Sequence, residues 1–258
     1  GSVITNAEVA SIDVEDGKAR GVTLVSGAPL PARIVVSNAD TGWTYSKLLG
    51  HIARKRWTDR KIDRSKYSMS LFVWYFGTNR RYDHVDHHTV LMGPRYDGLL
   101  TDIFDRKLLA EDFSLYLYRP TATDPSMAPD GCDSFYVLSP VPNLDGAVDW
   151  AAMSESYRQR IEAFLARTIL PDLARHVVTS RLSTPIDFRD RLLSIKGNAF
   201  GMEPILTQLA WFRPHNVSEE VENLFIVGAG THPGAGLPGV VSSAKILDKV
   251  VPHASAVA

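Results

Sequence analysis

The feature that most constrains this chain is a glycine-rich stretch near its C-terminus. Five of its 18 glycines fall between positions 228 and 239. Residues 224–227 before them are continuously apolar, as expected of a strand covered on both faces. After them, apolar residues recur at helical spacing: Val240, Ala244, Leu247 and Val251. A strand, a glycine loop and a helix together can bring backbone N–H groups up to a phosphate or an electron-rich ring.

Two common phosphate-binding motifs do not fit this stretch. A Rossmann fingerprint needs a third glycine where this chain has Pro233, and the acidic residue at roughly the right offset, Asp248, lies inside the predicted helix. No Gly-Lys-Ser/Thr sequence follows, which excludes a P-loop. The alternative to a ligand-binding loop is a turn-rich connection with no ligand.

Local patterns predict an α+β fold, because no strict β-α-β rhythm is visible after residue 65. A hairpin is predicted around Asp16-Gly17, followed by a strand at 32–36 and a helix to 49 capped by Ser37, Asn38 or Asp40. Further strands are predicted at 70–76, 88–92, 114–118 and 134–138. Helices are predicted near 97–109 and at 153–170, and extended segments at 177–188 and 207–212.

Composition excludes several functional classes. The net charge of −1 gives no global field for recruiting nucleic acid. The single Cys132 permits no internal disulfide, which suits a reducing compartment. The sequence shows no signal peptide, and its apolar runs are too short to cross a bilayer, so we expect membrane contact to be peripheral. Residues 54–66 hold seven Lys/Arg around Trp57, which indicates either an anionic-lipid surface or a solvated helix face.

Other polar clusters carry weaker chemical signals. The run at 83–88 contains three histidines and two aspartates, but it has the setting of a hairpin tip, and we expect no metal site. There is no Gly-x-Ser-x-Gly elbow for serine hydrolysis. A further set of polar residues either flanks a ligand or forms ion pairs at a domain boundary: Asp187, Arg189, Asp190, Glu203 and Arg213.

Several blocks, in order along the chain, resemble bacterial-type phytoene desaturases, the carotenoid desaturases of the FAD-dependent amine-oxidase-like superfamily. Residues 223–245 are similar to the family's C-terminal flavin-contacting segment. Further similar blocks are residues 35–40, 70–77, 87–96, 111–116, 184–190 and 201–215. Each block alone is a modestly specific indicator of this family, whereas the occurrence of all the blocks in the same order is a highly specific one.

The resemblance implies a domain plan. Residues 1–65 are expected to be part of an FAD-binding domain, with a β-meander and a helix, and residues 66–206 a substrate-binding domain with a mixed or antiparallel sheet. Residues 207–258 are expected to return to the FAD-binding domain as a strand, loop and helix. We expect the chain to be a C-terminal fragment that lacks the N-terminal ADP-binding unit.

The resemblance also implies a function, the desaturation of phytoene or a related carotenoid with FAD as the electron acceptor. The parent enzyme is expected to be cytoplasmic and peripherally membrane-associated, while the fragment itself is expected to be colourless and inactive. The alternatives are a related flavin enzyme on another polyene, such as a ketolase or saturase, and a non-catalytic lipid-binding or interaction domain. Catalytic residues are not assigned. The residues implied to lie nearest the flavin are Gly228, Gly230, Thr231, His232, Gly236, Pro238, Gly239 and Val240.

Overall fold

The computed structural model describes residues 1–253 and 256. In chain order its strands are β1 (Val9–Glu15), β2 (Lys18–Leu24), β3 (Pro29–Pro31), β4 (Val35–Ser37), β5 (Ser70–Thr78), β6 (His88–Leu91), β7 (Leu115–Tyr118), β8 (Asp133–Val141), β9 (Val177–Ser183) and β10 (Leu224–Ile226). Its α-helices are α1 (Thr41–Trp43), α2 (Asp59–Arg64), α3 (Tyr96–Phe104), α4 (Trp150–Thr168), α5 (Leu173–His176), α6 (Pro185–Asp190) and α7 (Leu237–Val250).

The chain divides into two units. The first unit consists of Gly1–Ser68, Leu192–Ile195 and the described residues from Phe200 onward. The second unit consists of Met69–Arg191 and Lys196–Ala199. Strands and helices alternate irregularly in both, and the strand pairs are mainly antiparallel, so the predicted α+β class is confirmed.

The described part of the first unit contains two small sheets, one of β1, β2 and β3 and one of β4 and β10. Strands β1 and β2 make the predicted hairpin, in which Asp16 and Gly17 both take positive φ as a tight two-residue turn requires. The prediction of one strand at 32–36 was wrong in its first half. The chain leaves the hairpin sheet after β3 and then pairs with a distant strand, since β4 lies parallel to β10.

A capped helical segment follows β4. Of the three predicted caps, Asp40 is the one that caps α1, through a 3.1 Å hydrogen bond from the Trp43 N–H. The helix continues as a π-helical turn over Thr44–Leu48. Tyr45 on this turn stacks on Trp57 with 5.9 Å between ring centroids. Both side chains are buried in the core of the first unit, whose other buried members include Ile12, Leu49, Ile62, Tyr67, Leu224 and Ile226.

An antiparallel sheet organises the second unit. Within the described residues it has five strands in the order β6-β7-β8-β5-β9. Side chains of β8 alternate strictly between buried and half-buried, so one sheet face is covered and the other is open. The covered face packs against α4 in an aromatic-rich core that includes Phe72, Trp74, Phe135, Trp150, Tyr157, Ile161 and Leu165.

Three predicted segments differ from the structure. Helix α3 ends at Phe104 rather than near 109. The extended segment predicted at 177–188 ends with β9 at Ser183, because Pro185 and a capping box between Thr184 and Asp187 start helix α6. Residues 207–212 form 3₁₀ turns, Leu206–Gln208 and Ala210–Phe212, instead of a strand.

A buried ion pair ties the start of β8 to the segment after β7. The carboxylate of Asp133 accepts hydrogen bonds from Arg119 Nε at 3.0 Å, Thr121 Oγ1 at 2.7 Å and the Tyr82 N–H at 2.7 Å. Both side chains of the pair are almost completely buried. Arg119 also reaches the exposed Asp83 at 3.1 Å, so one guanidinium bridges a buried and an exposed carboxylate.

Candidate functional site

The glycine loop lies beside the turn that follows β4. The parallel pairing of β4 and β10 makes both strands end at the same edge, and the Val227 N–H continues the ladder to the Ser37 carbonyl at 3.0 Å. Asn38 and Thr41 therefore face the first residues of the loop. This edge, where parallel strands end, is the usual place for a ligand in such sheets.

Most of the loop glycines are needed for packing. A Cβ on Gly228, where φ is +106°, would lie 2.7 Å from Asn38 Oδ1. A Cβ on Gly230 would lie 2.2 Å from Thr41 Oγ1, and one on Gly239 would lie 2.6 Å from the Gly234 carbonyl. These three positions require glycine because neighbouring protein atoms occupy the space of a side chain.

Gly236 is different, because it faces open space. It is the N-cap of α7, it has φ +93°, and a Cβ there would meet nothing within 4 Å. In the part of the chain that the structure describes, no side chain caps this helix, so the N–H groups of Leu237 and Gly239 in its first turn have no side-chain acceptor there. The helix begins at Leu237, slightly before the predicted start at Pro238 and Gly239. Its positive end and its bare donors are thus accessible to an anionic or electron-rich group.

Helix α7 is attached to the loop by one buried hydroxyl. Ser243 Oγ accepts a hydrogen bond from the Gly228 N–H at 2.9 Å and donates to the Val240 carbonyl at 2.6 Å. Val240 itself donates its N–H to the Gly236 carbonyl as part of the helix. Ser243 is the buried residue of a helix whose other side chains are half-buried or exposed.

A buried arginine supports the loop. Arg213 donates from Nη2 to the Ala229 carbonyl at 2.7 Å and from Nε to the Thr231 carbonyl at 3.1 Å. Within the described chain no carboxylate lies within ion-pair distance of it. Burial lowers the pKa of this guanidinium. The sequence placed Arg213 among possible ion pairs, and the structure instead gives it two loop carbonyls.

Replacing Arg213 by methionine should destabilise the chain by about 2 kcal/mol, because two loop carbonyls lose their hydrogen-bond donor. Removal of the desolvated charge offsets part of this loss. Urea unfolding followed by fluorescence measures the change. The matched control is Arg33→Met, at an exposed arginine of the same unit, which should leave the unfolding midpoint unchanged. Equal midpoints for the two variants would contradict a supporting role for Arg213.

Two of the predicted site residues have defined surroundings. Thr231 is buried and its hydroxyl donates to the Pro214 carbonyl at 2.7 Å, so its side chain supports the loop. His232 is exposed and borders a hollow of about 280 Å³, together with Trp211 and His215. Contact of these residues with a flavin stays a prediction.

The sequence pattern missed Thr41. Its hydroxyl oxygen is buried, lies against Gly230, and has no hydrogen-bond partner among the described residues. A buried polar atom without a partner is uncommon and costs stability. The only sequence signal is its position as the first helical residue after the Asp40 cap.

Three other polar candidates, Asp187, Arg189 and Asp190, have local roles in the second unit, whereas Glu203 lies in the first unit. Asp187 closes the capping box of α6, and the exposed Arg189 pairs with Asp190. In the histidine-rich run, the rings of His84, His87 and His88 bond to three different partners, which are Ile169, Thr123 and Tyr116. Among the described residues, no group of three potential metal ligands converges.

The basic stretch at 54–66 is partly neutralised. Arg54 pairs with Asp59 at 2.8 Å and Arg56 with Glu219 at 3.2 Å. Lys61 Nζ lies 3.6 Å above the Trp57 ring. The remaining basic side chains lie at the surface, on or near α2.

The open face of the second unit's sheet presents a row of aromatic side chains. Register places one residue of each strand in this row, in the order His88, Tyr118, Tyr136, Tyr75 and Arg181. Tyr118 and Tyr136 stack with 4.7 Å between centroids, and Tyr75 lies 5.9 Å from Tyr136. A hollow of about 320 Å³ lies on this face.

Comparisons with known proteins agree with the predicted resemblance. The chain is 50% identical over 260 residues to the neurosporene-forming phytoene desaturase of Rhodobacter capsulatus and 52% identical over 259 residues to that of Cereibacter sphaeroides. It is 48% identical over 246 residues to the lycopene-forming enzyme of Pantoea ananas. These matches cover 95–98% of the chain but 50% of each relative, so the chain spans about half their length. No family model matches the chain.

Solved structures share the fold at low sequence identity. An oxidoreductase from Methanosarcina mazei matches with a TM-score of 0.59 and 19% identity, covering 93% of this chain and 48% of that protein. A putrescine oxidase variant matches with a TM-score of 0.56 and 15% identity, covering 95% of this chain and 49% of that protein. In the described part of the chain, no helix has the length and apolarity that crossing a bilayer requires.

Proposed function

We propose that this chain, which belongs to the phytoene desaturase family, is the flavin-contacting and substrate-binding part of an FAD-dependent enzyme that desaturates phytoene or a related carotenoid. The observation that carries the proposal is the sequence identity with three such desaturases, which is about one half in each case and extends along almost the whole chain. Because the chain spans half of their length, the activity is proposed for the whole protein.

The first unit offers a fitting surface for a flavin. Gly236 leaves open space at the start of α7, and the N–H groups of Leu237 and Gly239 are uncapped beside it. Nearby, the loop packs on Thr41, whose buried hydroxyl has no partner. These features support the proposed cofactor-binding set, Gly228, Gly230, Thr231, His232, Gly236, Pro238, Gly239 and Val240. Gly228, Gly230 and Thr231 would act in this set by shaping the loop.

The chemistry divides between cofactor and protein. A bound flavin supplies the electron acceptor, because no side chain can oxidise a hydrocarbon. The positive end of α7 and its bare N–H donors stabilise negative charge at the loop. Arg213 holds the loop carbonyls of Ala229 and Thr231 so that the loop keeps this shape.

The two units suggest a division of labour that we propose for the parent enzyme. Residues 1–65 and 207–258 contribute to FAD binding, and residues 66–206 bind the substrate. The tyrosine-rich open face of the second unit's sheet, which has Arg181 at one end, suits an apolar ligand, and the glycine loop of the first unit suits the flavin.

We further propose that the enzyme works at the cytoplasmic membrane surface, where apolar polyenes dissolve. In the first unit, the exposed side chains of Leu206, Trp211 and Phe212 support this proposal. Phe212 borders the same hollow as the basic residues Lys61 and Arg64. Such a mixture of apolar and cationic groups favours an anionic bilayer surface.

The test is expression of the whole reading frame in cells that accumulate phytoene, followed by chromatography of the carotenoids and an absorption spectrum of the purified protein. We expect longer-conjugated products and a flavin spectrum. The 258-residue chain alone should be colourless. A folded, flavin-containing full-length protein that leaves phytoene unchanged would refute the proposal.

A pair of glycine variants tests the flavin site. Gly236→Ala should reduce flavin content and desaturation about tenfold or more, since a methyl group enters the open space beside the α7 donors. The matched control is Gly27→Ala. Gly27 also has positive φ (+84°) and open space, but it lies in the turn between β2 and β3. The same flavin loss in both variants would show that only backbone strain is being measured.

A further inference from the structure

The open face of the second unit's sheet is uncharged between its two ends. The row of residues from β6 to β9 begins with His88, ends with Arg181, and holds three tyrosines between them. The next row across the strands is Val90, Tyr116, Leu138, Val73 and Ser183. Neither row contains a carboxylate or a lysine.

Two of the tyrosine hydroxyls on this face, those of Tyr116 and Tyr136, are engaged in hydrogen bonds. The Tyr116 hydroxyl hydrogen-bonds Nδ1 of His88 at 2.6 Å and also bonds to the Tyr136 hydroxyl. Burial, followed by the bond to Tyr116, raises the pKa of Tyr136, so its phenol stays neutral at any physiological pH. The rings of Tyr75, Tyr118 and Tyr136 contact one another and form an aromatic surface for a ligand.

The size of the face limits what can bind there. Adjacent strands lie about 4.8 Å apart, so the row from His88 to Arg181 is about 19 Å long. The hollow of about 320 Å³ on this face is bordered by Tyr75, Tyr118, Tyr136 and the exposed Met127, with Arg181 at one end. A hollow of this volume with aromatic walls is typical of sites for small apolar ligands. A long, narrow, uncharged ligand fits better than a globular or ionic one.

We propose that Tyr75, Tyr136 and Tyr118 form a binding rail on which an extended polyene lies across the strands, in contact with the successive rings. Tyr75 is 43% exposed and lies next to Tyr136, the central residue of the row, so it offers the most ring surface to the ligand. The row is long enough to contact a polyene segment of about 19 Å. The inference rests on the proposed function and assigns its substrate contact to specific residues.

The test measures binding of methyl trans-parinarate, an uncharged conjugated tetraene that fluoresces in apolar surroundings, to the 258-residue chain. Tyr75→Thr and Tyr136→Thr keep a strand-forming residue but remove the ring, so each should weaken binding about tenfold. Tyr75→Phe and Tyr136→Phe keep the ring and should bind as the unchanged chain does. Circular dichroism verifies that each variant folds.

Two controls locate the binding. Tyr96→Thr removes an exposed tyrosine from α3 of the same unit, and Phe200→Ser removes an exposed aromatic ring of the first unit. Both should leave affinity unchanged. Threonine variants of the rail that fold and bind as tightly as the unchanged chain would overturn the inference, and so would loss of binding in either control.

The whole reading frame separates this inference from the proposed function. If the full-length protein desaturates phytoene-type carotenoids but Tyr75→Thr changes neither KM nor parinarate affinity, the inferred binding role of the three tyrosines is wrong and the proposed function stands. If the full-length protein lacks desaturase activity while parinarate binding still depends on the rail tyrosines, the proposed function is wrong and the polyene-binding face stands.

Discussion

Asp133→Ala should destabilise the second unit by about 3–5 kcal/mol, the largest effect expected for a single substitution in this chain. The change leaves the buried Arg119 without its buried carboxylate, and it also removes the acceptor of Thr121 Oγ1 and the Tyr82 N–H. The remaining counter-charge, Asp83, is solvent-exposed and reaches only one end of the guanidinium, so the buried Nε loses its partner and burial prevents water from replacing it. Urea unfolding followed by circular dichroism measures the loss.

Asp83 provides the matched control for this prediction. Its carboxylate contacts the same guanidinium at 3.1 Å, but it is solvent-exposed. Asp83→Ala should therefore shift the unfolding midpoint only slightly, because exposed ion pairs contribute little. Similar shifts for the two alanine variants would show that burial of the Arg119–Asp133 pair is not what matters.

Gly230→Ala should destabilise the first unit by about 3 kcal/mol, near the upper end of overpacking costs. A methyl group there would lie 2.2 Å from Thr41 Oγ1 and 2.9 Å from Thr41 Cβ, so the loop or the start of α1 must move. Urea unfolding measures the stability change. In the full-length protein, flavin content should fall as well, because the displaced loop carries the proposed flavin contacts.

A double-mutant cycle with Thr41→Ala separates the clash from other effects. The Thr41 hydroxyl has no hydrogen-bond partner, so its removal alone should cost little. It should also recover part of the stability lost in Gly230→Ala, since the nearest clashing atom is gone. Strictly additive losses in the double variant would contradict the clash.

Local signals predicted much of the fold. The Asp16-Gly17 turn, the Asp40 cap and the end of α4 before Pro171 each depend on residues close in sequence. Segments whose conformation depends on distant partners were predicted less well. Residues 207–212 form turns because the Gln208 amide bonds to the Lys66 backbone in place of a strand partner. Strand β4 forms where it does because β10 pairs with it.

In the candidate site, too, features that depend on distant parts of the chain could not be predicted from the sequence. The sequence identified the glycine loop, but it could not separate Gly230, which faces Thr41, from Gly236, which faces open space. That difference arises from the packing of segments that are far apart in the chain. Arg213 had a weak signal, a basic residue in an apolar stretch, yet its partners are carbonyls that only folding brings near.

The parallel pairing of β4 with β10 has a consequence for the order of folding. Val35 pairs with Leu224, so this contact must wait until the distant strand β10 has left the ribosome. The second unit is nearly continuous in sequence, with its sheet and α4 between Met69 and Arg191, and it can fold earlier during synthesis. We therefore expect the glycine loop to take its final shape last, after the sheet of the second unit has formed.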